Sequence, residues 1–218
     1  MIISLTGFMG CGKSSVGRRL SQLLCCPFMD LDDVIVEKEG RSIPEIFASD
    51  GEAAFRQMEL EALKFIIMTS EPRQCVPLAP SHSKAAGPSP YAGVRKCQFH
   101  THASSPKELQ SEDNTLILAL GGGTVMTPEC TEIVKDQTFC IYLKASIETL
   151  MKHLSGEADG RPMLNGGTLH ERITELMAQR SETYEKTAHI IIDTDGKSIE
   201  AIASEIISIS EYTSSSRS

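Results

Sequence analysis

The stretch "TGFMGCGKSSVG", residues 6–17, limits what this chain can fold into more than any other. It follows an apolar opening, "IISL", which reads as a short strand. It leads into a helical spacing of Val16, Leu20, Leu23 and Leu24 that predicts one buried face. Gly7, Gly12, Lys13 and Ser14 fit G-x-x-x-x-G-K-[ST] in the strand–loop–helix setting this motif requires. The glycines let backbone N–H groups turn inward around phosphate oxygens, so Gly10, Cys11, Gly12, Lys13, Ser14 and Ser15 form the candidate nucleotide-binding set. The start of the helix adds its positive end. Lys13 supplies a point charge between the outer phosphates, and the Ser14 hydroxyl can ligate Mg²⁺. The plainer alternative is a glycine-rich turn with a solvated lysine. A P-loop by itself does not separate a kinase from a GTPase or an ATPase.

Strand and helix signals then alternate to the end of the chain. Pro27 and Phe28 begin a second short strand that runs into the acidic "DLDD". Ser42 and Glu45 form a capping box with Pro44 early in the turn, and Gly51 can end that helix. The next helix carries Phe55, Leu63, Ile66 and Ile67 on one side. "TLILALGGG" is a buried strand entering three glycines, Thr127 and Pro128 open a helix, and "TFCIYL" is the next strand. Ser146 caps a helix holding Ile147 and Leu150, Thr168 and Glu171 make a second capping box, "HIIID" is the last strand, and residues 198–209 form the last helix. This order predicts an α/β fold: a central parallel sheet covered by helices on both faces, with ligands at the carboxyl ends of the strands.

Two segments break the pattern. Residues 71–113 hold six of the ten prolines and no periodic apolar face, which reads as a flexible insert within one domain. "CQFHTH" in that insert offers Cys97, His100 and His102, but the C-x-x-H-x-H spacing matches no standard zinc module, so a plain loop is the preferred reading. The polar, glycine-rich run within residues 152–167 suits a lid. Residues 210–218 are expected to fray.

Composition excludes several classes. A formal net charge of -8 argues against broad contact with a polyanion, and the absence of Trp leaves little for stacking on bases. No apolar run approaches membrane-spanning length, and the opening residues lack a basic leader. Seven cysteines, an odd number, fit reduced thiols in a cytoplasmic protein better than a disulfide framework.

The acceptor of the phosphoryl group must be read outside the P-loop. Asp30 and Asp32 stand two apart at the end of the second strand, a spacing that turns both side chains to one face. One can serve a hydrated metal and the other a substrate hydroxyl; equally, an acidic strand end can simply cap the following helix. Arg56 lies beside an apolar stripe, "GGGT" at 121–124 permits close approach of a ligand to the backbone, and Arg161 and Arg180 are each unremarkable alone.

Taken in order, "GFMGCGKSSVGRRL", "FMDLDDVI", "GRSIPEIFASDGEAAFRQME", "LALGGGTV", "GRPML" and "LMAQRSETYEKTA" resemble shikimate kinase across nearly the whole chain except residues 71–113 and the tail. The resemblance implies a three-layer α/β/α P-loop fold, nucleoside-monophosphate-kinase-like, with a lid. It implies transfer of the ATP γ-phosphate to the 3-hydroxyl of shikimate, a step toward chorismate and aromatic amino acids, in a cytoplasmic monomer that uses Mg²⁺. By the same resemblance, Asp32 holds the shikimate hydroxyls and accepts the reacting proton, Arg56 and Arg180 grip the carboxylate, and Gly122 and Gly123 line the pocket. Asp30 helps hold Mg²⁺ through water, Arg161 folds in with the lid onto the phosphates, and Lys197 approaches adenine or ribose. Two guanidiniums suit one carboxylate through forked, charge-assisted bonds. Another P-loop metabolite kinase, such as a gluconate kinase, and a kinase-like domain that binds nucleotide or a partner without turnover are the competing readings.

Overall fold

Five parallel strands form one sheet in the order β2-β3-β1-β4-β5. The computed structural model describes residues 1–70, 115–155 and 168–215, with side chains as far as residue 209. The strands are β1 (Ile2–Thr6), β2 (Phe28–Asp30), β3 (Leu116–Ala119), β4 (Phe139–Lys144) and β5 (Ile190–Asp193). Every residue of β1 and β3 is buried, as expected where helices cover both faces of a parallel sheet. The helices are α1 (Lys13–Leu24), α2 (Leu31–Glu39), α3 (Ile43–Ser49), α4 (Gly51–Ser70), α5 (Pro128–Gln137), α6 (Ile147–Leu154), α7 (Leu169–Thr187) and α8 (Ile199–Ser215). Among the described residues no helix is long and apolar enough to cross a membrane.

Helix starts follow the caps in the sequence. Ser42 and Glu45 close a capping box on α3, Thr168 and Glu171 close another on α7, and the Ser146 hydroxyl accepts from Thr149 N–H at the start of α6. Two expectations need correction. "DLDD" does not extend β2: the strand ends at Asp30, whose carboxylate accepts from Asp32 N–H at 3.1 Å and caps α2. Competition from this side-chain cap turns the backbone helical one residue later, so Asp32 belongs to the first turn of a helix and not to a strand face. Leu23 is 38% exposed, because α1 buries the narrower stripe of Val16, Gly17 and Leu20. The last helix, α8, runs to Ser215. The proposed insert at 71–113 and residues 156–167 of the proposed lid lie outside the described residues.

The strand order places the site. β1 lies between β3 and β4, with Leu5 opposite Ala119 and Thr6 opposite Tyr142. The chain therefore leaves neighbouring strands β1 and β3 through two glycine-rich turns that stand side by side at the carboxyl edge, and Leu120 N–H donates to Leu5 O at 3.0 Å to tie them. A switch in winding direction at this point opens a crevice above the sheet.

Candidate active site

A cleft of about 700 Å³ follows that edge, lined by the P-loop from Met9 to Val16, by Asp30, Asp32 and Gly122, and by Thr194, Lys197 and Ile199 on the far side. Gly10 and Gly12 take φ of 81° and 95°, which bends the loop into a cradle that L side chains resist. Lys13 is buried at the start of α1, and its ammonium donates to Gly7 O at 2.9 Å and Phe8 O at 3.1 Å. The Ser14 hydroxyl donates to Asp30 Oδ2 at 2.6 Å. That leaves a hydroxyl oxygen and a carboxylate side by side at the mouth of the loop, an all-oxygen pair suited to a hard cation. Of the two uses the sequence allowed, capping is observed: one Asp30 oxygen caps α2, and the other accepts from Ser14 beside the phosphate cradle.

The second half of the site is built on the turn after β3. Each of its three glycines touches a different group. A Cβ on Gly121 would lie 2.8 Å from Asp32 Oδ1 and 2.6 Å from Glu59 Oε1. A Cβ on Gly123 would lie 2.5 Å from both terminal nitrogens of Arg56. Gly122 O accepts from Arg180 Nη1 at 3.4 Å and from the Tyr184 hydroxyl. Asp32, Arg56, Gly122, Gly123 and Arg180 therefore surround one turn beside Lys13, although they are spread over α2, α4, β3's exit and α7.

Burial governs the electrostatics here. Asp32 Oδ1 is buried and has no hydrogen-bond partner among the described residues. Burial, then repulsion from Asp30 and Glu59, pushes its carboxyl up from 3.8 to about 7 against the pull of Lys13. A carboxylate so placed accepts a proton readily near neutral pH. Arg56 is held by two acids on its own helix, donating to Glu59 Oε2 at 2.6 Å and Glu52 Oε1 at 2.9 Å. Glu59 is wholly buried, and its other oxygen accepts from Thr124 Oγ1 at 2.5 Å. One carboxylate thus joins the Arg56 guanidinium to the end of the glycine turn.

Glu59 and Tyr184 were not singled out in the sequence, yet both left a signal. Glu59 lies on the stripe of Phe55, Ala62, Leu63 and Ile66, and an acid within a buried stripe needs partners. Its place three residues after Arg56 names one of them. Tyr184 stands four residues after Arg180, on the same face of α7.

Two further elements border the nucleotide side. His153, at the end of α6, donates through Nδ1 to Gly10 O at 2.8 Å, so the described base of the proposed lid rests on the P-loop. Lys197 lines the cleft while donating to Glu205 at 2.7 Å. Arg161, Cys97, His100 and His102 lie outside the described residues.

Known proteins resemble this chain along most of its length. A model of the family described as shikimate kinase matches residues 9–76 and 103–211, leaving out a stretch inside the segment read as an insert. The shikimate kinase of Dictyoglomus turgidum is 33% identical over 207 residues, covering 94% of this chain and 94% of its own. That of Thermus thermophilus is 34% identical over 205 residues, covering 94% of this chain and 87% of its own. Among solved structures, the shikimate kinase from Acinetobacter baumannii in complex with shikimate matches with a TM-score of 0.73 and 25% identity, over 97% of this chain and 93% of that one. With a family match over most of its length and relatives above 30% identity along nearly all of it, the chain belongs to the shikimate kinase family.

Proposed function

We propose that this chain transfers the γ-phosphate of ATP to the 3-hydroxyl of shikimate, giving shikimate 3-phosphate and ADP. The observation that carries the reading is the convergence of Asp32, Arg56 and Arg180 on the three successive glycines 121–123, next to Lys13. Two guanidiniums at adjoining glycines suit the substrate carboxylate, and a carboxylate that only accepts suits its alcohol groups. Gly122 and Gly123 let the Met9 backbone and the Arg56 guanidinium pack directly against the turn, which brings both to the edge of the pocket.

The geometry supports the following roles. Asp32 orients the acceptor hydroxyl and takes its proton as the oxygen attacks phosphorus, a step its raised proton affinity favours. Lys13 leaves the loop carbonyls for the nucleotide and offsets charge on the transferring group. Phosphoryl transfer asks for alignment and charge neutralisation more than for covalent help. Ser14 and Asp30 are the residues that would hold Mg²⁺, whose chemistry is to draw the outer phosphates together and offset their charge. Among the described residues no three His, Cys, Asp or Glu are grouped to hold a metal, which suits an ion shared with phosphates and water rather than caged by protein. Arg161 closing from the lid and Lys197 at the adenine or ribose complete the reading. A reducing cytoplasm suits the odd number of cysteines.

The test is a coupled assay of ADP release with shikimate, quinate, gluconate and AMP as acceptors. Turnover with shikimate well above the other three is expected. Preference for gluconate or AMP, or no turnover with any acceptor, would overturn the reading.

A further inference from the structure

We infer that Tyr184 is a positioning residue for the acceptor: its hydroxyl, donating to Gly122 O, sets the Gly122–Gly123 peptide and keeps Arg180 available to the substrate carboxylate. The inference rests on the reading of the site as a shikimate pocket. Arg180 and Tyr184 lie one turn apart on α7, and both direct a donor at the same carbonyl. The two contacts are unequal: the Tyr184 hydroxyl donates directly to the carbonyl, whereas Arg180 Nη1 stands at 3.4 Å, the weak end of the range. Tyr184 therefore holds the carbonyl, while the Arg180 guanidinium, which also lies against the Tyr184 phenol oxygen, makes only a weak bond to it.

The consequence runs through the peptide plane. In a trans peptide the C=O and the following N–H point in opposite directions. Drawing Gly122 O toward α7 turns Gly123 N–H away from α7. Among the described residues that N–H donates to no protein group, which leaves it free for an acceptor atom of the substrate. Glycines at 122 and 123 have no side chain to hold this orientation, so it must be imposed from outside.

Tyr184 is built for the task. It is fully buried and its ring stacks on Tyr142 with centroids 5.2 Å apart. Burial also pushes its phenol further above the usual range, so the group remains a donor at every working pH. Tyr142 supplies an internal control: it shares the stack, but its own buried hydroxyl has no partner among the described residues.

The experiment compares wild-type enzyme with Tyr184→Phe, Tyr142→Phe and a variant carrying 4-aminophenylalanine at position 184, each over full ranges of shikimate and ATP. Tyr184→Phe should raise the KM for shikimate roughly fivefold or more, with kcat and the KM for ATP within about twofold of wild type. Tyr142→Phe should leave all three within about twofold. The amino analogue keeps ring and donor, and should return the KM for shikimate close to wild type even if Tyr184→Phe does not fold. A wild-type KM for shikimate in folded Tyr184→Phe would overturn the inference. So would an equal rise in Tyr142→Phe, or an amino analogue that folds with a KM several times wild type. If the wild-type enzyme itself ignores shikimate, it is the functional reading that fails, and this is seen before any variant is compared.

Discussion

Replacing Gly123 by Ala isolates the Arg56 clamp. Gly123 has φ of −125° and ψ of 0°, so alanine brings no left-handed strain and the added methyl group is the whole perturbation. That methyl would sit 2.5 Å from Nη1 and Nη2 of Arg56 and 2.7 Å from Cζ. Ordinary contact begins at about 3.5 Å, so the guanidinium must retreat by about 1 Å. Its bonds to Glu59 at 2.6 Å and Glu52 at 2.9 Å cannot both survive that movement. The clamp then meets the substrate carboxylate out of line. Loss of one charge-assisted hydrogen bond costs about 1.5–3 kcal/mol, which is a rise of roughly 10- to 100-fold in the KM for shikimate. The contact is present in the ground state, so kcat should fall much less. The measurement is steady-state kinetics on Gly123→Ala, Arg56→Ala and the double variant. If the methyl acts only by displacing Arg56, adding it to Arg56→Ala changes nothing further. A folded Gly123→Ala with a wild-type KM for shikimate would refute the reasoning, and so would penalties that simply add in the double variant.

Three other outcomes follow from the same geometry. The folded state keeps a proton on Asp32 between its usual 3.8 and about 7, where the unfolded chain has released it, so its burial costs stability increasingly as pH rises through that window. Asp32→Asn should therefore abolish turnover yet raise the Tm at about pH 8, with the gain fading toward about pH 4, and wild-type kcat/KM for shikimate should climb with an apparent pKa near 7; a flat profile would remove Asp32 as proton acceptor. Gly17→Ala places a methyl 2.4 Å from Phe28 Cε2 and 3.3 Å from Leu5 Cδ1. The overpacking of about 1–3 kcal/mol outweighs the better helix propensity of alanine, so the Tm should drop, and an unchanged or higher Tm in a thermal melt would contradict this packing. Ser14→Ala should raise the Mg²⁺ concentration needed for half-maximal activity while leaving the KM for shikimate near wild type; an unaltered Mg²⁺ titration would take Ser14 out of the metal site.

The two halves of the site differ in how far a sequence can reveal them. The phosphate cradle is local: residues 7–15 contain the glycines, the lysine, the serine and the helix start in one unbroken run, so pattern and chemistry coincide. Asp30 is harder, because a carboxylate after a strand has two uses: one oxygen caps α2, and the other is bonded to Ser14 at the mouth of the P-loop. The inference that Asp30 and Asp32 share a strand face failed for the same reason, since the cap that Asp30 provides ends β2 and starts α2. Both carboxylates still reach the cleft, by a route the two-residue spacing does not describe.

The acceptor half is non-local in a stronger sense. Asp32, Arg56 and Arg180 meet only because β3 lies against β1 and carries its glycine turn to the P-loop's side, a consequence of strand order. At that turn the discriminating chemistry is in the neighbours. Two carboxylates press on Gly121, a carbonyl at Gly122 takes two donors, and a guanidinium rests on Gly123. "GGG" states only that something comes close. What comes close is settled by residues such as Glu59, which reads as a misplaced acid in an apolar stripe until the packing supplies Arg56 and Thr124. The proposed preference for an acid that is also an alcohol is therefore a property of the turn together with the three helices α2, α4 and α7 around it. A substitution at any one glycine should damage the contact of its own neighbour first: the carboxylates at 121, the P-loop amide of Met9 at 122, and the arginine at 123.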